Sequence, residues 1–189
     1  MDDTSPRDAS AAPYRVLARK YRPRTFRDLI GQDPMVRTLK NAFETGRIPQ
    51  AWMLTGVRGV GKTTTARILA RALNYETSAV DKPTIDMPEL GEHCAAIMEG
   101  RHVDVIEMDA ASHTSEIRKV PVTVLSRCQR FDLRRVEAEP LVAHLAGIAR
   151  SENVEVEDEA FRLIARAAEG SVRDALSLMD QAIAHGAGA

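Results

Sequence analysis

One short stretch of the sequence carries residues whose types and spacing could hold a chain of phosphates. Residues 56–63, GVRGVGKT, fit the pattern G-x-x-x-x-G-K-[ST] without a mismatch. Its three glycines allow backbone angles that turn successive N–H groups toward one point: Gly56, Gly59 and Gly61. Lys62 supplies a mobile cation for the β- and γ-phosphates, and Thr63 supplies a hydroxyl for Mg²⁺. The pattern predicts that the chain binds a nucleoside triphosphate.

The sequence on either side of this loop predicts the elements that position it. Residues 50–56, QAWMLTG, form a short apolar run that is typical of a buried strand. From Thr63 to Leu73 apolar residues recur at helical spacing, which predicts an amphipathic helix with this face: Ala66, Leu69, Ala70 and Leu73. The N-terminus of such a helix attracts anions through its dipole and its free N–H groups. This context favours a phosphate loop over the alternative, a glycine turn that happens to contain a lysine.

Composition limits the other classes of function. The 189 residues carry a net charge of −1, so a contact with nucleic acid would need a local basic patch. Two cysteines, Cys94 and Cys128, provide no disulfide framework and favour a reducing compartment. No apolar run approaches the ~20 residues of a membrane helix, and residues 1–13 lack the apolar core of a signal peptide. We expect a disordered tail over residues 1–13, a cytoplasmic protein and no membrane partner.

The remaining apolar patterns predict a strand-and-helix unit followed by a helical unit, with a boundary near Val136. In the first unit a helix is expected over Pro34–Thr45, with strands over His102–Ala110 and Ser126–Leu133. In the second unit three helices are expected: Pro140–Ser151, Asp158–Glu169 and Ser171–His185. The predicted apolar faces of its last two helices are Ala160, Ile164 and Ala167, and then Leu176, Met179 and Ile183.

Several segments outside the phosphate loop carry motifs of a known family. They are VLARKYRPRTFRDLIGQ (16–32), VDVIEMDAASHT (103–114), VPVTVLSRCQRFDL (120–133) and AAEGSVRDALSLMDQAIA (167–184). With the loop, they resemble the DNA polymerase III gamma/tau family, the AAA+ ATPases of bacterial clamp loaders. The likeness extends over nearly everything from Tyr14 to Ala184. It implies an α/β fold, an AAA+ P-loop NTPase domain whose parallel sheet is flanked by helices over residues 14–136. A small three-helix lid domain over residues 137–189 is implied to follow.

The resemblance assigns roles to two arginines that the residues alone leave open. Arg127 matches an arginine finger that reaches the γ-phosphate of a neighbouring subunit; the alternative is a surface arginine at a strand edge. Arg173 matches the sensor-2 arginine of the lid, and Ser171 would be the N-cap of its helix. The alternative for Arg173 is an ion pair with Asp174 or Glu169.

The resemblance also implies where the base and the nucleotide contacts lie. Gly31 and Gln32 match the loop beside the base, and Thr64 joins the phosphate-binding residues. The basic segment Tyr14–Arg27 would pack against the base; without the resemblance, it would be taken for a solvated charged segment.

The sequence departs from the family at its zinc module. The family carries four cysteines after the phosphate-loop helix, whereas this chain has Tyr75 at the first of those positions and retains only Cys94. One thiolate beside His93 cannot form the closed tetrahedral site of a structural zinc. We expect no zinc site, and a Cys94 that acts as a small apolar residue.

A second departure concerns the acidic Walker B strand and the sensor 1 strand. In the family they follow DAASHT, whereas here Ser115 is followed directly by Glu116, so that some dozens of residues are absent. The family's strand order, 5-1-4-3-2, places the missing strands between the phosphate-loop strand and residues 102–110. We expect such a chain to fold poorly unless those two strands pair anew, or to be joined across a stretch that the sequence does not represent. The family's C-terminal collar is also absent, which indicates a fragment.

Two classes of function follow. The first is an ATPase of the DNA polymerase III complex, a clamp-loader motor subunit with ATP and Mg²⁺ as cofactors and no assigned general base. Its implied partners are further gamma/tau copies, the delta and delta prime subunits, the sliding clamp and primed DNA. The second is a nucleotide-binding or structural assembly module that cannot hydrolyse ATP because Walker B is absent. A small-molecule P-loop kinase is a more distant third.

Overall fold

The computed structural model describes residues 14–106, 123 and 126–186. The predicted tail over 1–13, the junction between Ser115 and Glu116 and the last three residues lie outside the described residues. The described elements are α1 (Leu17–Lys20), a 3₁₀ turn (Phe26–Asp28), α2 (Asp33–Glu44), β1 (Trp52–Thr55), α3 (Lys62–Leu73), α4 (Cys94–Met98), β2 (Gln129–Asp132), α5 (Ala138–Glu152), α6 (Asp158–Ala167) and α7 (Val172–Gly186). No helix in this part of the chain is both long enough and apolar enough to cross a membrane.

A parallel pair of strands carries the phosphate loop. β1 and β2 pair from Trp52 opposite Gln129 to Thr55 opposite Asp132, and the N–H of Leu133 donates to the carbonyl of Thr55 at 2.9 Å. The strands predicted around residues 50–56 and 126–133 are therefore confirmed, as direct neighbours. Because the strands are parallel, the loop after β1 and the segment after β2 leave the same edge of the sheet.

The strand predicted over His102–Ala110 is wrong for the residues that the structure describes. Residues 102–106 contain a turn, and their apolar side chains face solvent, with Val103 exposed at 87% and Ile106 at 82%. β1 pairs only with β2 within the described ranges, so this segment has not paired anew with the phosphate-loop strand. A strand needs a hydrogen-bonded neighbour, and the strands that would flank this one are those expected to be missing.

The predicted helices next to the sheet are confirmed, but the buried face of α3 differs from the prediction. Leu69 is buried as expected, whereas Ala66 is exposed. The buried apolar residues are instead Ile68, Leu69 and Ala72. The reason is that α3 packs against both β1 and α4, so the β-branched Ile68 turns inward and the buried face is displaced by one position.

Two apolar clusters form the interior of the described chain. The sheet cluster joins α2, α3 and β2 through Leu39, Ile68 and Phe131, and the 3₁₀ turn adds Phe26. The helical cluster joins α5, α6 and α7, and it also includes Val136. The strand-and-helix unit and the helical unit therefore each have their own apolar core, and the chain passes from the first to the second after β2.

The three predicted helices of the second unit are confirmed as α5, α6 and α7. On α7, Leu176 and Met179 are buried as expected. On α6 the buried residues are Phe161 and Ala165, followed by Ala168 at its end, so the predicted face over Ala160, Ile164 and Ala167 is displaced by one residue. Burial of the one aromatic side chain of this helix decides its rotation, since Phe161 removes the largest apolar area from water.

The basic N-terminal segment is attached to the helical unit through α1, while several of its arginines remain exposed. Leu17 is buried in the helical cluster, and its N–H donates to a carboxylate oxygen of Asp180 at 2.8 Å. Lys20 Nζ lies 2.6 Å from Glu152 Oε1, and the Tyr21 hydroxyl donates to the same oxygen. These hydrogen bonds, first from Lys20 and then from Tyr21, lower the pKa of Glu152 below its usual value. α1 is therefore attached to the helices that follow the sheet.

The helical unit also touches the phosphate loop directly. A Cβ atom built on Gly59 would lie 1.9 Å from Ser171 Oγ, and Gly59 has a φ of +84°. Only glycine combines this left-handed backbone with the absence of a side chain. The loop and the start of α7 thus meet in van der Waals contact at Gly59.

Replacing Glu152 by Gln should make the free energy of unfolding depend less on pH in the acidic range. Because the folded pKa of Glu152 lies below its unfolded value of about 4.5, its contribution is present above that pH and is lost as pH falls through the folded value. The free energy of unfolding of the wild type should therefore fall more steeply than that of E152Q below about pH 5, by up to about 1 kcal/mol for such a surface pair. Urea titrations at several pH values measure it, with exposed Glu155→Gln as the control. Parallel curves for wild type and E152Q would contradict this account of α1.

Substitution of Gly59 should lower the free energy of unfolding more than substitution of a glycine whose only special feature is a positive φ. Gly59→Ala combines left-handed strain with overlap on Ser171 and should cost about 2–5 kcal/mol. Gly46 has a φ of +65° with nothing within 4 Å of an added methyl group, so Gly46→Ala should cost only about 1–2 kcal/mol. Chemical denaturation compares the two variants. Equal losses of stability would show that the contact between Gly59 and Ser171 does not constrain the loop.

Candidate nucleotide-binding site

The phosphate loop has the geometry of an anion cradle. Gly56, Gly59 and Gly61 all have positive φ, at +131°, +84° and +98°. Gly61 is the N-cap of α3, which begins at Lys62, and no side chain caps this end of the helix. The first N–H groups of a helix have no intrahelical acceptor and carry the positive end of its dipole. The loop therefore presents several donors that a phosphate can accept from.

Lys62 extends across this loop. Its Nζ donates to the carbonyl oxygens of Gly56 at 2.8 Å and Val57 at 2.6 Å. The ammonium group is thus held beside the loop by two neutral acceptors, without a carboxylate partner in the described chain. Hydrogen bonds from an ammonium group to an anion are stronger than those to a neutral carbonyl. A phosphate can therefore take over these bonds.

A cavity of about 740 Å³ opens above the loop. The loop and the first turns of α3 form one wall, the N-terminal segment from Val16 to Gln32 forms a second, and α5 and α7 form the third. The volume falls within the range of pockets that hold small ligands and cofactors, about 300–1,000 Å³. The cavity is thus assembled from both units and from the basic segment that joins them.

The charge of this cavity suits a polyanion. Six cationic residues line it: Arg19, Arg22, Arg58, Lys62, Arg67 and Arg173. The one acidic residue among the described lining residues is Asp28, whose carboxylate accepts the backbone N–H groups of Arg24 at 2.9 Å and Thr25 at 2.8 Å. This carboxylate is committed to the 3₁₀ turn. The described lining therefore contains ample positive charge and no free acid.

Ser171 fixes the start of α7 at the edge of the cavity. Its Oγ accepts the N–H of Asp174 at 3.2 Å, which is the N-cap geometry expected from the sequence. Arg173 lies in the first turn of this helix and lines the cavity. No ion pair joins Arg173 to Asp174 or Glu169 in the described chain, and Glu169 instead pairs with Arg135 at 2.9 Å. The Arg173 guanidinium is thus available to a ligand.

The other residues singled out from the sequence fall into two groups. Those that line the cavity are Gln32, Gly59, Gly61, Lys62, Thr63, Thr64 and Arg173. Gly31 lies between the lining residues Ile30 and Gln32 but does not form the wall. Gly56 is not a lining residue either, and it approaches the backbone after β2, where an added Cβ would lie 2.5 Å from the carbonyl oxygen of Leu133. The amide of Gln32 is buried and bonds the backbone of Arg134 through both of its polar atoms.

Arg127 lies far from this cavity within the same chain. It is exposed in a turn two residues before β2, whereas the loop leaves the opposite end of the sheet. A strand rises about 3.3 Å per residue, so residues 127 and 132 are separated by roughly 16 Å along the sheet. The structure does not bring Arg127 to the phosphate loop of its own chain.

Arg22 and His144 are among the lining residues that were not singled out from the sequence. Arg22 donates through Nε to the hydroxyl of Thr64 at 3.0 Å and so reaches the first turn of α3. The basic segment that contains Arg22 was noted, but nothing in the sequence distinguishes this arginine from its neighbours. His144 lines the cavity from α5. No sequence signal marks it, because a single histidine on an amphipathic helix has no pattern of its own.

The zinc-module positions are occupied by core residues. Cys94 and Tyr75 are buried in the sheet cluster, which also contains Met87. His93 lies 3.2 Å from a carboxylate oxygen of Glu76. No group of three potential metal ligands occurs within the part of the chain that the structure describes.

Comparison with protein-family models gives two matches. A family described as the ATPase lid domain of the DNA polymerase III clamp loader subunit matches residues 141–188. A second family, described as the DNA polymerase III delta subunit, matches residues 31–120. With the α/β core and the three helices that follow it, these matches confirm the predicted fold class, an AAA+ P-loop domain followed by a helical lid.

Curated proteins give matches along most of the chain. DNA polymerase III subunit tau of Escherichia coli K12 is 37% identical over 232 residues, which cover 93% of this chain and 36% of the relative. The tau subunit of Bacillus subtilis 168 is 32% identical, covering 90% and 40%. The gamma subunit of Buchnera aphidicola subsp. Baizongia pistaciae is 31% identical, covering 93% and 62%. The chain thus spans little more than a third of the length of the first of these relatives.

The extent of the alignments also reveals a gap. The match to Escherichia coli tau runs over 232 positions, whereas 93% of 189 residues is about 176, so about 56 aligned positions hold residues of the relative alone. Relatives from three bacterial genera nevertheless match at 31–37% identity over 90–93% of the sequence, and the lid has its own family match. The chain belongs to the DNA polymerase III gamma/tau family of clamp-loader subunits.

Proposed function

We propose that this protein is an ATP-binding motor subunit of a clamp loader. In this role it helps to load a sliding clamp onto primed DNA in the cytoplasm by binding and hydrolysing ATP. One observation carries the proposal: the phosphate loop, six cationic residues and the first turn of the lid helix α7 line a single cavity. Family membership supports the same conclusion, since the matching lid domain is described as that of an ATPase.

The roles of the cavity residues follow from their chemistry. The N–H groups after Gly59 and Gly61 and the ammonium group of Lys62 bind the β- and γ-phosphates. Thr63 offers its hydroxyl to Mg²⁺, which would neutralise phosphate charge when bound. Arg173 reaches the phosphates from the lid, so that binding draws the lid domain, residues 137–189, onto the domain formed by residues 14–136. The phosphate-binding residues also include Gly56 and Thr64, and the loop beside the base includes Gly31 and Gln32.

The distance between Arg127 and its own phosphate loop supports a role between subunits. A guanidinium on an exposed turn about 16 Å along the sheet from the loop cannot assist hydrolysis in its own chain. It can stabilise charge at the γ-phosphate of a neighbour, as an arginine finger does. The partners proposed on this basis are further gamma/tau copies, delta and delta prime subunits, with the sliding clamp and primed DNA as substrates of the assembly.

A second candidate function is favoured by a specific observation. Asp28 is the one acid among the described lining residues, and its carboxylate is already bonded to the backbone. About 56 positions of the relatives have no counterpart in this chain. A module that binds ATP and assembles without hydrolysing it would fit both facts, because the water-activating acid would be missing. Turnover by the assembled complex separates the two candidates, since the module predicts binding without phosphate release.

Removing the ammonium group of Lys62 should weaken ATP binding at least tenfold. Hydrogen bonds to charged groups contribute about 1.5–3 kcal/mol, and each 1.4 kcal/mol changes Kd by about tenfold. Calorimetric titration of Mg·ATP into wild type and K62A measures the loss. Lys40→Ala is the matched control, because Lys40 is an exposed lysine of α2 whose ammonium group lies 3.7 Å from Glu44. Equal affinity of K62A and wild type would refute the placement of the phosphates.

Removing the guanidinium of Arg127 should abolish turnover while leaving ATP binding intact. In the complex with its partner subunits and primed DNA, the rate of ATP hydrolysis by R127A should fall by at least about 10³-fold. This is the lower limit of the contribution of an arginine finger. Exposed Arg37→Ala is the control. Mixed complexes of R127A and K62A subunits should regain part of the activity, since some sites then combine an intact loop with an intact finger. Weakened ATP binding by isolated R127A would contradict a role in trans.

A further inference from the structure

The wall of the cavity that faces the phosphate loop contains apolar as well as cationic side chains. Arg19, Arg22 and Arg173 lie on this wall, which is formed by the N-terminal segment and the lid. Its apolar side chains belong to the helical cluster or pack against it: Ala18, Ile30, Val172 and Leu176. With a triphosphate at the α3 N-terminus, these apolar side chains are suited to a flat, largely apolar group attached to it.

His144 is a polar residue that the lid helix α5 contributes to the cavity wall. It lies on α5 between Leu141 and Leu145, which are both fully buried in the helical cluster. The imidazole itself is half-buried, and this burial lowers its pKa below the usual value. The ring is therefore neutral at pH 7, with one N–H donor and one nitrogen acceptor.

The ring of His144 uses neither of these polar atoms within the protein. No hydrogen bond, ion pair or ring contact joins it to any residue of 14–106, 123 or 126–186. Its nitrogens are also absent from the buried atoms that lack a partner, which means that they are not fully buried. A histidine that only filled the lid interior would bury its nitrogens against a partner. This one keeps a donor and an acceptor at the wall of a ligand cavity.

We propose that His144 hydrogen-bonds the edge of the nucleotide base and makes the site prefer triphosphates that carry a base. The inference rests on the proposed function, because it needs the phosphates at Lys62. A nucleobase has a flat apolar face for the walls around Ile30 and Leu176, and polar atoms on its edge for the imidazole. A hydrogen bond from one ring nitrogen of His144 to the base edge forms only when a base is present, so a ligand without a base lacks this contribution to its affinity.

The test compares ATP with inorganic tripolyphosphate, which keeps the charge but has neither sugar nor base. Calorimetry gives the Kd of each ligand for wild type, H144A and H144Q, with the exposed His185→Ala as the control. H144A should weaken ATP binding up to about tenfold, as expected for loss of one hydrogen bond, and should change tripolyphosphate binding less than twofold. H144Q should recover part of the affinity for ATP, because an amide also has a donor and an acceptor.

The outcomes separate this inference from the proposed function. If H144A weakens both ligands equally, or does not weaken ATP binding, His144 does not bind the base. The phosphate site would still be supported if binding of both ligands depends on Lys62. H144Q and H144A that weaken ATP equally would likewise overturn the hydrogen bond to the base. Failure of the wild type to bind either ligand would overturn the proposed function and the role of His144 together. A denaturation curve for each variant confirms that it is folded.

Discussion

The contact between Gly59 and Ser171 is the constraint on which the rest of the site depends. Ser171 caps the helix that carries Arg173, and it can approach the phosphate loop this closely only because Gly59 has no side chain. The same approach sets the loop and the lid as two walls of one cavity. The N-terminal segment completes the enclosure, with Leu17 in the helical cluster and Phe26 in the sheet cluster. This contact thus brings the phosphate loop and the lid together as walls of the same cavity.

The cavity lining provides both positive charge and apolar surface. A chain of net charge −1 gathers six cationic residues around one cavity, so the positive potential is local and serves a small polyanion better than an extended nucleic acid. The apolar walls come from residues that already stabilise the lid interior. Because the same side chains hold the lid together and line the cavity, a ligand that fills it also bridges the lid and the N-terminal segment.

The sequence predicted the loop, the strands beside it and the helices of both units, because glycine spacing and apolar periodicity are local signals. It missed what depends on neighbours. The segment at residues 102–106 has the pattern of a strand, yet the pattern cannot supply the partner that a strand requires. The faces of α3 and α6 were displaced by one residue because burial of Ile68 and Phe161 decided the rotation of each helix. Arg22 and His144 reach the site only through the tertiary arrangement, which no local pattern records.

The measurement that tests the central claim most directly is the structure of this chain bound to Mg²⁺ and a non-hydrolysable ATP analogue. The account predicts phosphates at the N-terminus of α3, with Lys62 Nζ moved from the carbonyls of Gly56 and Val57 onto a phosphate oxygen. It also predicts that the base lies between α1 and α5. A nucleotide bound outside this cavity, or a Lys62 that keeps its bonds to the loop carbonyls while ligand is present, would contradict the account.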